Sequence, residues 1–210
     1  GYVRHPYFSP DGKFIAFVAQ EDGESEIYII SSNGGQAKKI THIGSNIGRI
    51  ACWKEDRIYF ASDYGQAFGR IMELFWVCTK KGGLPVNAQY GIAHNISFGN
   101  KGVVIGRNTA DAARWKRYRG GTAGEIWIDA NNDYNFKKLI NLKSNAASPM
   151  WIKNRIYFLS DHDGIGNIYS VLKSGKSLKK HTDHKNYYAR NASSDGNKIV
   201  YHAGGDLYIY

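Results

Sequence analysis

Glu26-Ile-Tyr-Ile-Ile30 returns along the chain as Glu73-Leu-Phe-Trp-Val77, Glu125-Ile-Trp-Ile-Asp129, Asn167-Ile-Tyr-Ser-Val171 and Asp206-Leu-Tyr-Ile-Tyr210. Counted from Ile27, the matching apolar residues Leu74, Ile126, Ile168 and Leu207 follow at steps of 47, 52, 42 and 39. A period of that size is the mark of a repeat whose units bury their faces against one another. Upstream of each copy lies a second apolar run: Ile15-Ala-Phe-Val-Ala19, Arg57-Ile-Tyr-Phe60, Val103-Val-Ile105, Arg155-Ile-Tyr-Phe158 and Lys198-Ile-Val-Tyr201. Downstream comes a short basic segment, Ala37-Lys-Lys-Ile-Thr41, Phe136-Lys-Lys-Leu-Ile140 or Leu178-Lys-Lys-His-Thr182, with a divergent version around Pro85-Val-Asn-Ala-Gln89.

With the segment that opens each unit, this makes four strands, A to D. The fold class expected is all-β, a β-propeller of four-stranded antiparallel blades, incomplete at about five of six blades. Strands B and C read as near-continuous apolar runs because both of their faces meet neighbouring blades. Asp-Gly in Pro10-Asp-Gly-Lys13 and Ser194-Asp-Gly-Asn197 supplies the A-to-B turn, where positive φ is needed, and Glu55-Asp56 and Lys153-Asn154 stand at that corner in two other blades. Blade limits fall at about 1–42, 43–91, 92–143, 144–183 and 184–210, the last blade lacking its outer strand. The chain is thus expected to be one propeller domain fragment.

Composition agrees. The chain has 210 residues, 14% aromatic, with 15 Tyr and 24 Gly, and no helix-length periodic segment. Apolar runs such as Leu74 to Cys78 are far too short to cross a bilayer, so no membrane partner is expected. Cys52 and Cys78 fall on the first and third strands of one blade, roughly 10 Å apart at the usual strand spacing. That is beyond disulfide reach, so free, buried thiols are expected, which fits a reducing compartment.

Several motifs fail on their chemistry. Asp161-His-Asp163-Gly-Ile-Gly166 has the outline of a calcium loop, but Ile165 and Leu172 occupy positions that must supply oxygen, and the segment reads as a B-to-C turn. Ser174-Gly-Lys-Ser177 resembles the end of a phosphate loop without the first glycine or the following helix. The seven histidines are scattered, and His181 and His184 read as loop residues. There is no Gly-x-Ser-x-Gly elbow and no Ser, His and acid set that the register assembles. Catalytic residues, metal ligands and cofactors are therefore all expected to be none.

One segment breaks the repeat. The B-to-C connection spans about 7 residues in the first and fourth blades but runs 18 residues, Arg107 to Gly124, in the third. Loops of that length in a repeat are functional or disordered, and in a propeller the B-to-C connections share the face that commonly binds. Its contact candidates are Arg107, Arg114, Trp115, Lys116, Arg117, Tyr118 and Arg119. Three readings stand, in this order. In the first, Trp115 and Tyr118 pin the loop and the cations face water. In the second, the arginines hold carboxylates of a peptide or a neighbouring subunit. In the third, cations and rings take the phosphates and bases of a nucleic acid. The net charge of +10 admits the last but equally fits a solvated basic surface.

Gly106-Arg-Asn-Thr109, Arg114-Trp-Lys-Arg-Tyr-Arg-Gly-Gly-Thr122 and Glu125-Ile-Trp-Ile128 resemble the N-terminal six-bladed propeller of the tricorn proteases, as do Ser148-Pro149, the stretch from Arg155 to Ser170 and Lys179-Lys-His-Thr182. The resemblance implies a cytoplasmic, mainly archaeal, homohexameric serine peptidase acting on peptides downstream of the proteasome. It places the nucleophile in C-terminal domains, beside a second propeller and a PDZ domain. No catalytic residue carries over to this chain, whose part would be to guide peptides to or from the active site. Peptides, the remaining domains of the parent protease and further copies of the chain are the partners implied. Of the family's substrate-anchoring arginine pair only Arg49 stands in a comparable early loop. The generic blade motifs also fit a free-standing TolB-like interaction propeller, which is the alternative.

Overall fold

The computed structural model describes residues 1–21, 23–69, 71–109 and 116–210. Among them are nineteen strands and no helix. The chain divides into two compact units, Gly1–His94 and Asn95–Tyr210. The first holds two four-stranded sheets, β1 (Tyr2–Phe8), β2 (Phe14–Gln20), β3 (Glu26–Ser31) and β4 (Lys38–Lys39), then β5 (Ile47–Lys54), β6 (Arg57–Ser62), β7 (Glu73–Cys78) and β8 (Val86–Ile92). The second holds β9 (Asn95–Phe98), β10 (Val103–Arg107), β11 (Glu125–Asp129) and β12 (Lys137–Lys138), then β13 (Ala146–Ile152), β14 (Arg155–Ser160), β15 (Asn167–Leu172) and β16 (Lys179–Lys180). It ends with a three-stranded sheet, β17 (Arg190–Ser194), β18 (Ile199–Ala203) and β19 (Asp206–Ile209). Every sheet is an antiparallel meander in chain order, so these are β-propeller blades, four complete and a fifth without strand D.

The apolar runs that define the repeat become the contacts between blades. In the first unit Ala16, Val18, Ile27 and Ile40 of one blade pack on Ile47, Ile50, Ile58, Phe60 and Phe75 of the next. In the second unit Val104, Ile126 and Leu139 meet Ile156, Phe158 and Tyr169, while Met150, Leu159 and Ile168 meet Ala189, Ile199 and Tyr201. Each fully buried Ile or Phe stabilises this packing by about 1.5–3 kcal/mol, and only a neighbouring blade supplies that burial.

Polar residues at strand ends fix the spacing between blades. The Thr41 hydroxyl is fully buried; it accepts the Ile27 N–H at 2.8 Å and donates to Glu26 Oε2 at 2.5 Å. Glu26 Oε1 takes the Ile43 N–H at 2.8 Å, which fixes how the chain leaves the blade. Thr182, Ile168, Asn167 and His184 repeat the arrangement, with Asn167 Oδ1 accepting from the Thr182 hydroxyl and the His184 N–H, each at 2.8 Å.

The A-to-B corners need left-handed backbone, and Gly12 (φ 71) and Gly196 (φ 94) supply it, while Glu55 (φ 54) and Lys153 (φ 53) adopt it despite their side chains. A second recurrent irregularity had no expectation attached. Strand A is bulged at His5 (φ 53), Ser148 (φ 49) and Asn191 (φ 50), where the pairing with strand B shifts register. One expectation needs correction: Cys52 and Cys78 are free but half-buried rather than buried. Burial of its thiol nevertheless pushes Cys52 up to about 11.

Candidate functional site

The long connection of the third blade leaves β10 at Arg107, which is the last residue of that strand, and rejoins at Glu125. Arg107 therefore lies in the ladder, opposite Glu125, with its guanidinium 4.1 Å from the centre of the Trp127 ring. The Thr109 hydroxyl donates to Asn95 Oδ1 at 2.6 Å and starts the connection against strand A. Arg114 and Trp115 lie outside the described residues. The return path is described from Lys116 onward.

That return path docks on the fourth blade. Arg117 adopts φ 57 and gives its N–H to Asp161 Oδ2 at 2.7 Å, while its Nε donates to the Gly164 carbonyl at 3.2 Å. Arg119 Nη1 reaches Asp161 Oδ1 at 3.2 Å and Nη2 the Asp161 carbonyl at 3.3 Å. Asp161 is completely buried and also accepts the Asn145 N–H at 3.1 Å, so its two oxygens gather three donors from two segments. Lys116 Nζ lies 5.3 Å from the centre of the Tyr188 ring, and the Tyr188 hydroxyl shares the Gly164 carbonyl at 3.0 Å. Burial, with the Asp161 carboxylate second, holds the Tyr188 phenol above its ordinary value.

The reading in which rings pin the loop and cations face water therefore changes at its described residues. Arg117 and Arg119 are the anchors, although both keep exposed surface; the Arg119 side chain is 39% exposed. Tyr118 packs locally, accepting a hydrogen bond from the Thr122 hydroxyl and lying so close to Gly120 that a Cβ there would stand 2.0 Å from its oxygen. Beside the docked segment a cavity of about 470 Å³ opens between Arg119, Gly120 and Ala123 on one side and Ile140, Leu142 and Lys143 on the other. Sequence reasoning missed Asp161, Gly164 and Tyr188 as partners of the loop. The signal available was the Ser-Asp pair closing strand B, present as Ser62-Asp63 and Ser160-Asp161, in which both acids accept a backbone N–H from strand A's approach, Asn46 and Asn145.

The rejected calcium outline is occupied by other chemistry. Asp161 is committed to the arginine loop, and Asp163 accepts from the Tyr169 hydroxyl and pairs with Lys180 at 2.9 Å. No group of side chains able to hold a metal occurs among the described residues. The histidines are not idle loop residues. His181 Nε2 meets Ser170 Oγ at 2.7 Å and its Nδ1 meets the Tyr210 hydroxyl at 2.7 Å, while His184 Nε2 meets the Tyr201 hydroxyl at 3.1 Å. Ser170-His181-Tyr210 has the outline of a nucleophile relay, but Ser170 is fully buried and its oxygen already takes the Arg155 Nε–H at 2.7 Å. A serine so placed ties strand C to strand D and offers nothing to a substrate. Burial, then Arg155 and Lys179, hold His181 below its usual value.

Comparison with known proteins covers the chain from end to end. The tricorn protease N-terminal β-propeller domain corresponds to residues 1–210, the entire chain. The chain belongs to that family. The tricorn protease homolog of Saccharolobus solfataricus is 39% identical over the whole chain, which spans 20% of that protein. The crystal structure of the tricorn protease superposes with a TM-score of 0.88 at 35% identity, covering all of this chain and 21% of the other. A putative TolB of Agrobacterium tumefaciens superposes at 0.72 with 17% identity, over 99% of this chain and 76% of the other, a likeness of fold alone. The tricorn propeller described here thus spans about a fifth of the length of the curated relatives it matches. No helix among its described residues is long and apolar enough to cross a membrane.

Proposed function

We propose that this tricorn propeller is the non-catalytic part of a cytoplasmic, homo-oligomeric serine peptidase acting on peptides downstream of the proteasome, where it guides peptides to or from an active site carried by other domains. The observation that carries the reading is the match of the whole chain to one propeller domain while it spans a fifth of relatives whose names describe proteases. The docked 116–119 segment supports a guiding role. It holds three cations, all with exposed surface, against the fourth blade, and Arg119 lines a cavity, where peptide or subunit carboxylates would find them.

Replacing Lys116, Arg117 and Arg119 by Ala in the full-length protein tests it. The specificity constant for peptides of ten or more residues is expected to fall, with that for a minimal chromogenic substrate unchanged. Equal effects on both would refute guidance. The 1–210 chain alone should show no cleavage sensitive to serine-directed inhibitors. The TolB-like alternative draws on fold likeness alone, and it predicts that peptide hydrolysis by the parent protein is indifferent to this loop.

A further inference from the structure

The first unit carries a groove that neither the long loop nor the proposed guidance uses. It is a cavity of about 940 Å³ at the A-to-B and C-to-D ends of its two blades. The floor is apolar, formed by Phe14, Ile29, Ile40 and Trp53. Trp53 and Ile40 are buried, whereas Phe14 is 44% exposed and stands at the opening.

The groove exists because this wedge between blades is left unfilled. The corresponding wedge in the second unit shows what filling looks like. There Gly175, in the C-to-D turn, approaches the outer strand of the preceding blade so closely that a Cβ would stand 2.2 Å from the Leu139 carbonyl oxygen. The Trp151 ring lies directly against Gly99, where a Cβ would stand 2.4 Å from it. In the first unit the C-to-D turn is longer: its glycine, Gly82, bonds back to Cys78 four residues before it, whereas Gly175 bonds to Leu172, three before. A Cβ at Gly82 would stand 3.9 Å from the Ile40 carbonyl oxygen, and Ser9 replaces the glycine at the end of strand A. The tryptophan is kept, and its Nε1 bonds the Glu55 carbonyl at 3.1 Å just as Trp151 bonds that of Lys153 at 3.2 Å. The backbone around it has opened.

The rim chooses the ligand. On a chain with 28 Lys and Arg against 18 Asp and Glu, three carboxylates, Asp11, Glu55 and Asp56, line this groove against two ammoniums, Lys38 and Lys80. Among the described residues no ion pair joins any of these carboxylates to either lysine. Asp11 is spent on its own turn, accepting from the Ser9 hydroxyl and the Lys13 N–H. Glu55 and Asp56 stand side by side at the corner next to Trp53, both within electrostatic reach of Arg57, and Asp56 Oδ2 accepts from Cys78 Sγ at 3.8 Å. Along the opposite wall Gln36, Lys38 and Ile40 alternate on one side of the short outer strand, which suits an extended chain lying along it.

We propose that this groove binds a short extended peptide segment that presents a bulky apolar side chain next to a lysine or arginine. The apolar side chain rests on Phe14, Ile40 and Trp53, and the cation pairs with Glu55 and Asp56. A volume of this size accommodates a ligand of a few residues.

The indole N–H of Trp53 reports the site, and that of Trp151 serves as the internal control. The protein, labelled with ¹⁵N-tryptophan, is titrated with N-acetyl-Lys-Phe-Lys-amide and with N-acetyl-Glu-Phe-Glu-amide. The cationic peptide is expected to move the Trp53 signal along a saturable curve and leave Trp151 in place, and the acidic peptide to move neither. Glu55→Lys with Asp56→Lys, at a corner where Glu55 is exposed and Asp56 half-buried, should weaken the cationic peptide by about tenfold or more, and Phe14→Ala should weaken it without altering its salt dependence. Equal shifts by the two peptides, movement of Trp151 together with Trp53, no saturable shift, or undiminished binding by the lysine variant would each overturn the proposal.

Discussion

Asp161→Ala is the perturbation that most directly measures the docking of the long connection. The wild-type carboxylate is fully buried and accepts from the Asn145 N–H, the Arg117 N–H and Arg119 Nη1. Removing it strands the buried Asn145 donor at about 1–3 kcal/mol and undoes the Arg117 bond, which is the shortest of the three. The Arg119 pair adds under about 1 kcal/mol because that guanidinium can turn to water. The sum is roughly 3–5 kcal/mol, which for a domain of this size lowers the thermal midpoint by roughly 6–20 °C. Asp63→Ala provides the reference. Asp63 holds the same position in its own blade and accepts the Asn46 N–H at 3.0 Å, with no arginine donating to it among the described residues, so its cost should be only about 1–2 kcal/mol. Urea denaturation followed by tryptophan fluorescence gives both numbers. The isosteric Asp161→Asn separates docking from folding, since its amide turns a donor toward one of the donors the carboxylate accepted. Trypsin should then cut after Lys116 and Arg117 at least about tenfold faster than in wild type under conditions where the blades stay folded. Equal destabilisation by Asp161→Ala and Asp63→Ala, together with unchanged cleavage of Asp161→Asn, would refute the account of the loop as a docked element.

Three further outcomes follow from the packing. Gly99→Ala places a methyl group where the Trp151 ring now lies, at 2.4 Å, and is expected to cost about 1–3 kcal/mol with a red shift of tryptophan emission as the ring is displaced. Thr41→Val keeps the shape but leaves the Ile27 N–H and one oxygen of Glu26 without their partner, for a loss of about 1–3 kcal/mol by chemical denaturation. Acid should weaken the fold through a half-buried histidine. Burial, then Arg49 and Arg4, lower His5 from 6.5 to about 4, so the unfolded chain binds its proton first and stability falls as pH drops from about 6.5 to 4. Discounted for the partial exposure of His5, the loss is about 1–2 kcal/mol, and His5→Gln should flatten that part of a stability-against-pH curve.

What could be read from the residues was whatever repeats locally. Strands B and C are legible because burial on both faces writes them as unbroken apolar runs, Ile27 to Ile30 or Ile156 to Leu159, whereas three of the four outer strands shrink to Lys38–Lys39, Lys137–Lys138 and Lys179–Lys180 and show only as a basic pair. The bulge at His5 and Ser148 left a trace in the proline that follows each, but Asn191 has none, and left-handed backbone at a histidine or serine is not a composition signal. The length of the third connection was plain and its docking was not. Arg117 and Asp161 lie 44 residues apart, and each looks ordinary in its own segment: one cation among several, one acid in a turn. His181 likewise reads as a loop residue until the fold brings Ser170 and Tyr210 to its two nitrogens.

The two-residue outer strands bear on the chain's positive charge. A sheet edge invites another molecule to extend its ladder, and a two-residue edge made of lysines refuses it, both by offering too few backbone groups and by repelling its own kind. Much of the charge surplus can therefore be understood as protection against fibre-like association, with no anionic partner required. Among the described residues the guard is missing from β8, seven residues without a lysine, and the barest apolar edge is β19, four residues long, with Leu207 88% exposed and Ile209 71% exposed. Any sample in which that edge stays uncovered should aggregate from there first, and a lysine at Leu207 should keep it in solution.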